Sequence, residues 1–184
     1  MITIGIDPSI NSTGICINSP GGSEYYIICS KLTKKMREFK HKRVHIINYE
    51  KTEFKELEYS DKEFIKTRNI RNIVSEIEKI IKKYKKKDSV MIYMEGISYG
   101  SAGSAALVDL AGLNFLIRSM LLEQNIPFII VAPISLKIFA TNNAGASKEE
   151  MTWAWKLLDP GMNNIENIKI DDLADAYFLS RFTK

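Results

Sequence analysis

The sequence contains little cysteine or histidine. Its 184 residues include two cysteines, Cys16 and Cys29, and two histidines, His41 and His45. Both cysteines lie in strand-like apolar runs, so we interpret them as small core side chains in a reducing compartment. The histidines have no cysteine partners at the spacing of a zinc site. These two scarcities argue against a disulfide-stabilised domain and against a structural zinc site.

Long apolar runs and targeting signals are also missing. No apolar stretch reaches the roughly 20 residues that a helix needs to span a bilayer. The first seven residues, MITIGID, lack the basic start and the cleavage site of a signal peptide. No internal repeat and no linker-like composition divides the chain. We therefore expect a single cytoplasmic domain over residues 1–184 with no membrane partner, and an irregular insertion at about residues 33–60.

The net charge of +4 conceals an uneven distribution. Residues 31–87 hold 19 of the 26 Lys and Arg residues but 9 of the 22 Asp and Glu residues, so the remainder of the chain is acidic. A basic segment beside an acidic remainder is typical of a protein that holds a phosphate-rich partner with one part and does chemistry with another. The alternative is a solvated surface, because the run KKYKKK at 82–87 also suits the C-terminal end of a helix.

The apolar patterns predict an α/β fold. Strand-like runs come first, at ITIGID, TGICINS, EYYIICSKL and VHIINYE, and helical spacing follows at about 61–84. The chain then alternates between buried strands (SVMIYME, IPFIIVAP) and helices (about 104–123, ISLKIFAT, SKEEMTWAWKLL and the last residues). Ser147 and Glu150 have the capping-box spacing at one helix start. This order implies a mixed central sheet flanked by helices.

Acidic residues stand where strands end and inside the last helix. Asp7 and Glu95 each end a predicted strand, and Asp175 lies among apolar residues of the last helix. Either Asp171 or Asp172 shares a helix face with Asp175, and spacing alone does not choose between them. If the two strands are neighbours and the helix crosses them, the carboxylates converge and need a cationic partner.

Oxygen ligands alone favour hard octahedral ions, Mg²⁺ or Mn²⁺. Two such ions about 4 Å apart activate a water and stabilise a leaving oxygen in phosphodiester cleavage. Taken singly, the acids also have ordinary interpretations. Asp7 before Pro8 suits a turn, and Asp171 suits the start of a helix. The hypothesis of a metal site therefore depends on the convergence of several acids.

Four stretches resemble the RuvC-type Holliday junction resolvases, and most closely their phage and poxvirus branches. They are IGIDPSINSTGICI, YMEGISYGSAGSAALVDLAGL, VAPISLKIFATNNAGASKEEM and IDDLADA, in the family's order. The resemblance covers residues 1–18 and 90–182 and is weak across 31–87. It implies an RNase H-like fold and a homodimer that nicks four-way DNA junctions symmetrically with divalent metal, in DNA recombination and repair. A phage or viral enzyme of this kind would act in the host cytoplasm.

The resemblance also assigns the acidic residues. The family's last motif has the form D-x-x-D, which selects Asp172 and Asp175 and leaves Asp171 beside the site. With Asp7 and Glu95 these residues are the expected ligands of two Mg²⁺ or Mn²⁺ ions and the catalytic acids. A crossover junction endodeoxyribonuclease is the activity that this resemblance implies.

Three further residues are assigned a contact with DNA by the same resemblance. Lys148 matches a lysine that meets DNA phosphate near the metals, and it completes the expected catalytic set. Lys137 matches a basic family position. Tyr99 stands one position from an aromatic residue that enters the opened junction, so we expect it to stack on an unpaired base.

The predicted helix at 104–123 is apolar on nearly every face. One stripe is enough to cover a sheet, so the excess is buried either inside the monomer or against a second copy of the chain. The resemblance points to this helix as the homodimer interface. The alternative is a wholly internal helix, with Asp109 and Arg118 its only exposed residues.

Two other functions stay open beside the junction resolvase. One is a broader structure-specific nuclease that cuts flaps, forks and three-way junctions. The other is a catalytically silent junction-binding protein, although all four acids are present. An actin-like ATPase begins with a similar strand, but 184 residues are too few for its two lobes, so no nucleotide cofactor is expected.

Overall fold

The structure, a computed structural model, describes residues 1–53, 56–97, 104–165, 168 and 170–183. The strands in these ranges are β1 (Ile2–Asp7), β2 (Ser12–Ser19), β3 (Gly22–Cys29), β4 (Val44–Asn48), β5 (Val90–Glu95) and β6 (Phe128–Val131). The helices are α1 (Lys34–Glu38), α2 (Tyr59–Lys85), α3 (Ser104–Glu123), α4 (Pro133–Thr141), α5 (Lys148–Leu158) and α6 (Ile170–Leu179). A short 3₁₀ turn at Pro160–Met162 follows α5.

The strands form one mixed sheet in the order β4-β3-β2-β1-β5-β6. β1, β2 and β3 pair as antiparallel neighbours, β4 runs parallel to β3, and β5 and β6 run parallel to β1. The predicted α/β class with a mixed central sheet is confirmed. Because β1 and β5 are parallel, their carboxyl ends lie at the same edge of the sheet.

Helices cover both faces of this sheet. Apolar residues of α2 and α3, such as Ile77 and Ile117, pack on one face. The other face is covered mainly by α5 and α6, where Trp155 and Phe178 are buried. The capping box at the start of α5 is present as predicted. The six strands are therefore sandwiched between two helical layers.

The segment at 33–60, expected as an irregular insertion, contains two regular elements. One is β4, the strand predicted at VHIINYE, and the other is the short helix α1, which the sequence did not predict. β4 is apolar enough to extend the sheet beside β3. Beyond it, the buried Tyr49 donates its hydroxyl to the carbonyl of Ile10 at 3.0 Å. Thr52 and Asn69 exchange two hydrogen bonds of 2.9 Å each. These contacts attach the described part of the segment to the rest of the fold.

An ion pair also joins this segment to α5. The Arg43 guanidinium donates to both carboxylate oxygens of Asp159, at 2.7 and 3.0 Å. The Tyr25 hydroxyl donates to the same carboxylate at 2.7 Å and accepts from the Trp155 indole at 3.1 Å. Bidentate, partly buried pairs of this kind are among the stronger ones in proteins. The start of β4 is therefore held firmly against the end of α5.

Helix α6 lies unusually close to β1 and β2. A Cβ atom at Gly5 would overlap the carbonyl oxygen of Ala176, and one at Gly14 would overlap the backbone carbonyl of Asp172. Only glycine permits backbone to approach backbone this closely. Gly14 pairs with Asp7 across the β1–β2 ladder. The close approach therefore brings the first turn of α6 next to the end of β1.

Helix α3 is only partly internal. Leu113 and Ile117 are buried against the sheet, whereas Val108, Phe115 and Leu122 are 67%, 59% and 66% exposed. These three exposed apolar residues are spaced by seven, so they form one stripe along the helix. The alternative of a wholly internal helix is wrong.

The expectation that no apolar stretch is long enough for a bilayer is also wrong for α3. Residues 105–123 have the length and mean hydropathy, 1.6, of a membrane-spanning helix. Asp109 and Arg118 interrupt the run in the sequence, but two charges do not lower its mean hydropathy enough to exclude a span. α3 resembles a membrane-spanning helix in length and composition only.

Candidate active site

Three elements bring the four predicted carboxylates to one cavity. Ile6 of β1 lies beside Met94 of β5, so the next residues, Asp7 and Glu95, leave the same edge of the sheet as neighbours. Helix α6 crosses β1 and β2 at this edge and supplies Asp172 and Asp175. All four side chains line a cavity of about 400 Å³.

The other walls of the cavity come from the turn after β1 and from α4 and α5. Ser9, Lys137 and Lys148 provide polar groups, and apolar contacts come from residues such as Ile134 and Met151. Both lysines predicted to contact DNA therefore lie at the same cavity as the acids. Tyr99, the third predicted DNA contact, lies outside the described residues.

The carboxyl groups influence one another. Burial raises the pKa of Asp7 well above its ordinary value, and the negative charges of Glu95, Asp175 and Asp172 raise it further. Burial and the charge of Glu95 raise the pKa of Asp175 to about 7. Burial also raises the pKa of Glu95, with Lys137 and Lys148 among the groups that oppose this shift. Four acids with this much mutual repulsion favour a cationic partner.

The donor chemistry of the cavity fits a hard divalent cation. The four acids offer carboxylate oxygens only, which suits Mg²⁺ or Mn²⁺ better than zinc. In the ranges that the structure describes, no three histidine, cysteine, aspartate or glutamate side chains are already arranged to hold an ion. The cavity thus suits a divalent cation by its negative charge and its oxygen ligands.

Asp171 and Asp172 occupy different positions, which spacing in the sequence left open. Asp172 lines the cavity with Asp175. Asp171 lies outside it, and its carboxylate accepts a 2.6 Å hydrogen bond from the Lys148 ammonium. This contact raises the pKa of Lys148. Asp171 thereby holds a lysine at the rim of the cavity.

The sequence interpretation missed Asn114, a buried polar residue of α3. Its side-chain amide donates to the backbone carbonyl of Glu95 at 3.1 Å, and the side chain is almost fully buried. It therefore fixes the end of β5 from the opposite helical layer. An asparagine in the middle of a strongly apolar helix is the signal that could have identified it, because buried amides need a specific partner.

We expect the Asp175→Asn variant, free of divalent metal, to be more stable than the wild type at pH 8 but not at pH 4. The pKa of Asp175 in the folded protein is about 7 against an ordinary value of 3.8. As the pH rises, the unfolded chain loses the Asp175 proton at a lower pH than the folded protein does. The stability of the wild type therefore falls between about pH 4 and pH 7. Each unit of pKa difference is worth about 1.4 kcal/mol.

Thermal unfolding in a chelator between pH 4 and 8 measures this difference. Asp171→Asn is the matched control, because it removes a neighbouring carboxylate that is paired with Lys148. It should lower stability by no more than about 1 kcal/mol. Parallel pH profiles for Asp175→Asn and the wild type would contradict the prediction.

No model of a known protein family matches the sequence, and neither does any curated protein. Solved structures do match. Thermus thermophilus RuvC has 15% identity and a TM-score of 0.58, with 98% of this chain and 91% of that chain covered. T. thermophilus RuvC in complex with a Holliday junction substrate has 13% identity and the same TM-score, with 98% and 90% covered. The yeast mitochondrial Holliday junction resolvase Ydc2 has 15% identity and a TM-score of 0.53, with 97% and 75% covered.

These similarities extend over nearly the whole chain, so they concern the complete fold. The predicted RNase H-like fold of the RuvC type is confirmed. At 13–15% identity the comparison establishes the fold alone, because one fold serves many functions. The resemblance to the phage and poxvirus branches stays a prediction.

Proposed function

We propose that the protein is a metal-dependent endonuclease that resolves Holliday junctions and related branched DNA by paired nicks. The observation that carries the proposal is the convergence of Asp7, Glu95, Asp172 and Asp175 on one cavity beside two lysines. A carboxylate cluster with adjacent cations suits phosphodiester hydrolysis. The RuvC-type fold supports DNA junctions as the substrate class.

In this proposal the four acids hold two Mg²⁺ or Mn²⁺ ions. The bound ions would supply charge neutralisation at the phosphate and an activated water. The residues around the acids position the carboxylates. Asn114 fixes the strand that carries Glu95, and Gly14 allows α6 to present Asp172 beside Asp7.

Lys148 and Lys137 are the groups that we propose to meet the DNA phosphate. Lys148 is 70% exposed and reaches Asp171 from the rim of the cavity. A phosphate can compete with Asp171 for its ammonium, because both are oxygen anions. Lys137, on α4, lines the same cavity as Glu95, and its positive charge opposes the rise in the pKa of that carboxyl. Two cations at the entrance favour an anionic substrate over a neutral one.

The basic segment at 31–87 is proposed to hold the DNA arms through phosphate contacts. Lys40 and Lys42 line a shallow open surface at the start of β4. The adjoining residue, Arg43, is bonded to Asp159 at the end of α5. This basic surface is therefore attached, through Arg43 and Asp159, to the end of the helix that carries Lys148.

The enzyme is further proposed to act as a homodimer through α3. A four-way junction has approximate two-fold symmetry, and paired nicks need two equivalent sites. The exposed stripe of Val108, Phe115 and Leu122 is apolar, and contiguous apolar surface of this kind marks interaction sites. A second copy of the same stripe would cover it.

Sedimentation at micromolar concentration should give a mass near twice 21.0 kDa, and Phe115→Glu should reduce it to that of a monomer. Phe115 is at the centre of the stripe, and a buried unpaired carboxylate opposes association. Leu158→Glu is the control, because Leu158 is equally exposed but lies on α5 at the other face of the sheet. A wild-type chain that stays monomeric on junction DNA would refute the dimer.

The proposed activity is tested with a panel of synthetic DNAs: four-way and three-way junctions, flaps and linear duplex, each with Mg²⁺, Mn²⁺ or chelator. We expect metal-dependent nicks at symmetric positions in the four-way junction and little cleavage of the duplex. Equal cleavage of flaps and three-way junctions would indicate a broader structure-specific nuclease. Binding without cleavage under every condition would indicate a silent junction-binding protein.

A further inference from the structure

Helix α5 exposes a tryptophan beside the carboxylate cavity. The inner side of α5 is buried at Met151 and Trp155, whereas Trp153 is 67% exposed. A tryptophan side chain is large, flat and mostly apolar, so its exposed indole can stack on a planar partner.

The indole forms part of a groove of about 440 Å³ between α5 and α6. Thr152 and Lys156 of α5 and Ile170 of α6 line it with Trp153. Lys148 lines both this groove and the carboxylate cavity. The groove therefore adjoins the proposed phosphate site, and the pair of Lys148 and Asp171 lies between them.

The charges in the groove do not favour a phosphate. Lys148 and Lys156 are opposed there by Glu149 and Asp171, so neither sign is in excess. The Lys156 ammonium donates to the carbonyls of Asn163 and Ile165, at 3.4 and 3.2 Å. A planar uncharged group that offers a π-face suits this site better than an anion.

We propose that the groove binds the base of an unpaired nucleotide next to the phosphate at the carboxylate cavity, with that base stacked on the Trp153 indole. This inference rests on the proposed function, since it assumes DNA at the cavity. Base stacking on aromatic side chains tolerates any sequence. Trp153 therefore selects for an unpaired nucleotide and not for a particular base.

Trp153→Ala should weaken binding of four-way junctions about tenfold in chelator and leave the weaker binding of linear duplex unchanged. Trp153→Phe should restore most of the affinity, because it keeps an aromatic face. Leu157→Ala is the matched control: Leu157 is 58% exposed one turn further along α5 and does not line the groove. It should bind like the wild type.

Fluorescence provides a second measurement that does not depend on cleavage. The chain has two tryptophans, of which Trp155 is buried. A short single-stranded oligonucleotide should quench the wild-type emission, and the quench should be lost in Trp153→Phe, which retains Trp155.

Three results would overturn the inference. Wild-type affinity in Trp153→Ala, with normal junction cleavage by the wild type, would refute the groove and leave the proposed function standing. Equal loss of binding in Trp153→Ala and Leu157→Ala together with a lower sedimentation mass would identify the surface as a protein interface. A wild-type protein that neither binds nor cuts any DNA would refute the groove and the proposed function together.

Discussion

Asp7→Asn is expected to abolish nicking of four-way junctions while leaving junction binding intact. Asp7 is the acid whose pKa is raised by all three of its neighbours, so it lies centrally among the proposed ligands. Loss of a residue that merely orients a metal ligand already costs about 10–100-fold in activity. Loss of a ligand should therefore cost more than about 100-fold. Without metal, the variant should be as stable as the wild type or more so, because one repulsive charge is gone.

The loss of nicking is measured as the cleavage rate in Mg²⁺. Junction binding is measured as affinity in chelator, and stability is measured by thermal unfolding without metal. The control is Asp171→Asn, since Asp171 lies outside the cavity and is bonded to Lys148. It should reduce the rate much less. Full activity in Asp172→Asn together with lost activity in Asp171→Asn would show that the wrong aspartate of this pair was assigned to the metal.

Gly14→Ala should be destabilising and inactive although residue 14 has no side chain to contribute. A Cβ at this position would lie 2.6 Å from the carbonyl carbon of Asp172 and overlap its oxygen. Backbone atoms cannot rotate aside as a side-chain tip can, so α6 has to shift. Overpacking of this kind typically costs about 1–3 kcal/mol. A shift of about 1 Å at catalytic groups can cost about 100-fold in rate, and here Asp172 and Asp175 move together.

Gly112→Ala is the matched substitution. Gly112 lies inside α3, and the nearest atom to an added Cβ is a methyl carbon of Ile70 at an ordinary 3.7 Å. Alanine is favoured over glycine in a helix by about 0.5–1 kcal/mol, so this variant should be as stable as the wild type or slightly more so. Chemical denaturation and cleavage assays on both variants make the comparison. Normal stability and activity in Gly14→Ala would mean that α6 does not need its close approach to β2.

The sequence predicted best those features that depend on neighbouring residues along the chain. The capping box of Ser147 and Glu150 is complete within four residues, and α3 was recognisable because its apolar residues are consecutive. The convergence of acids was a hypothesis about packing that the order of the elements suggested. It needed β1 and β5 to be neighbours, and they are.

Features that join distant parts of the chain could not be predicted. The bond between Lys148 and Asp171 depends on the angle at which α5 meets α6, which no local pattern encodes. The pair of Arg43 and Asp159 spans 116 positions. The strand at VHIINYE was predicted from its apolar residues, but its place beside β3 at the edge of the sheet was not, because pairing between strands is not encoded locally.

The contact between α6 and β1 has a consequence for the order of events during synthesis. This contact joins β1 to α6, so it cannot form before α6 has been synthesised. A nascent chain that ends before Ile170 holds Asp7 and Glu95 but neither acid of α6. Under the proposed function, such a chain has half of its ligands and no means of cutting DNA. Under that proposal, nuclease activity arises only after α6 has been synthesised and has packed against β1.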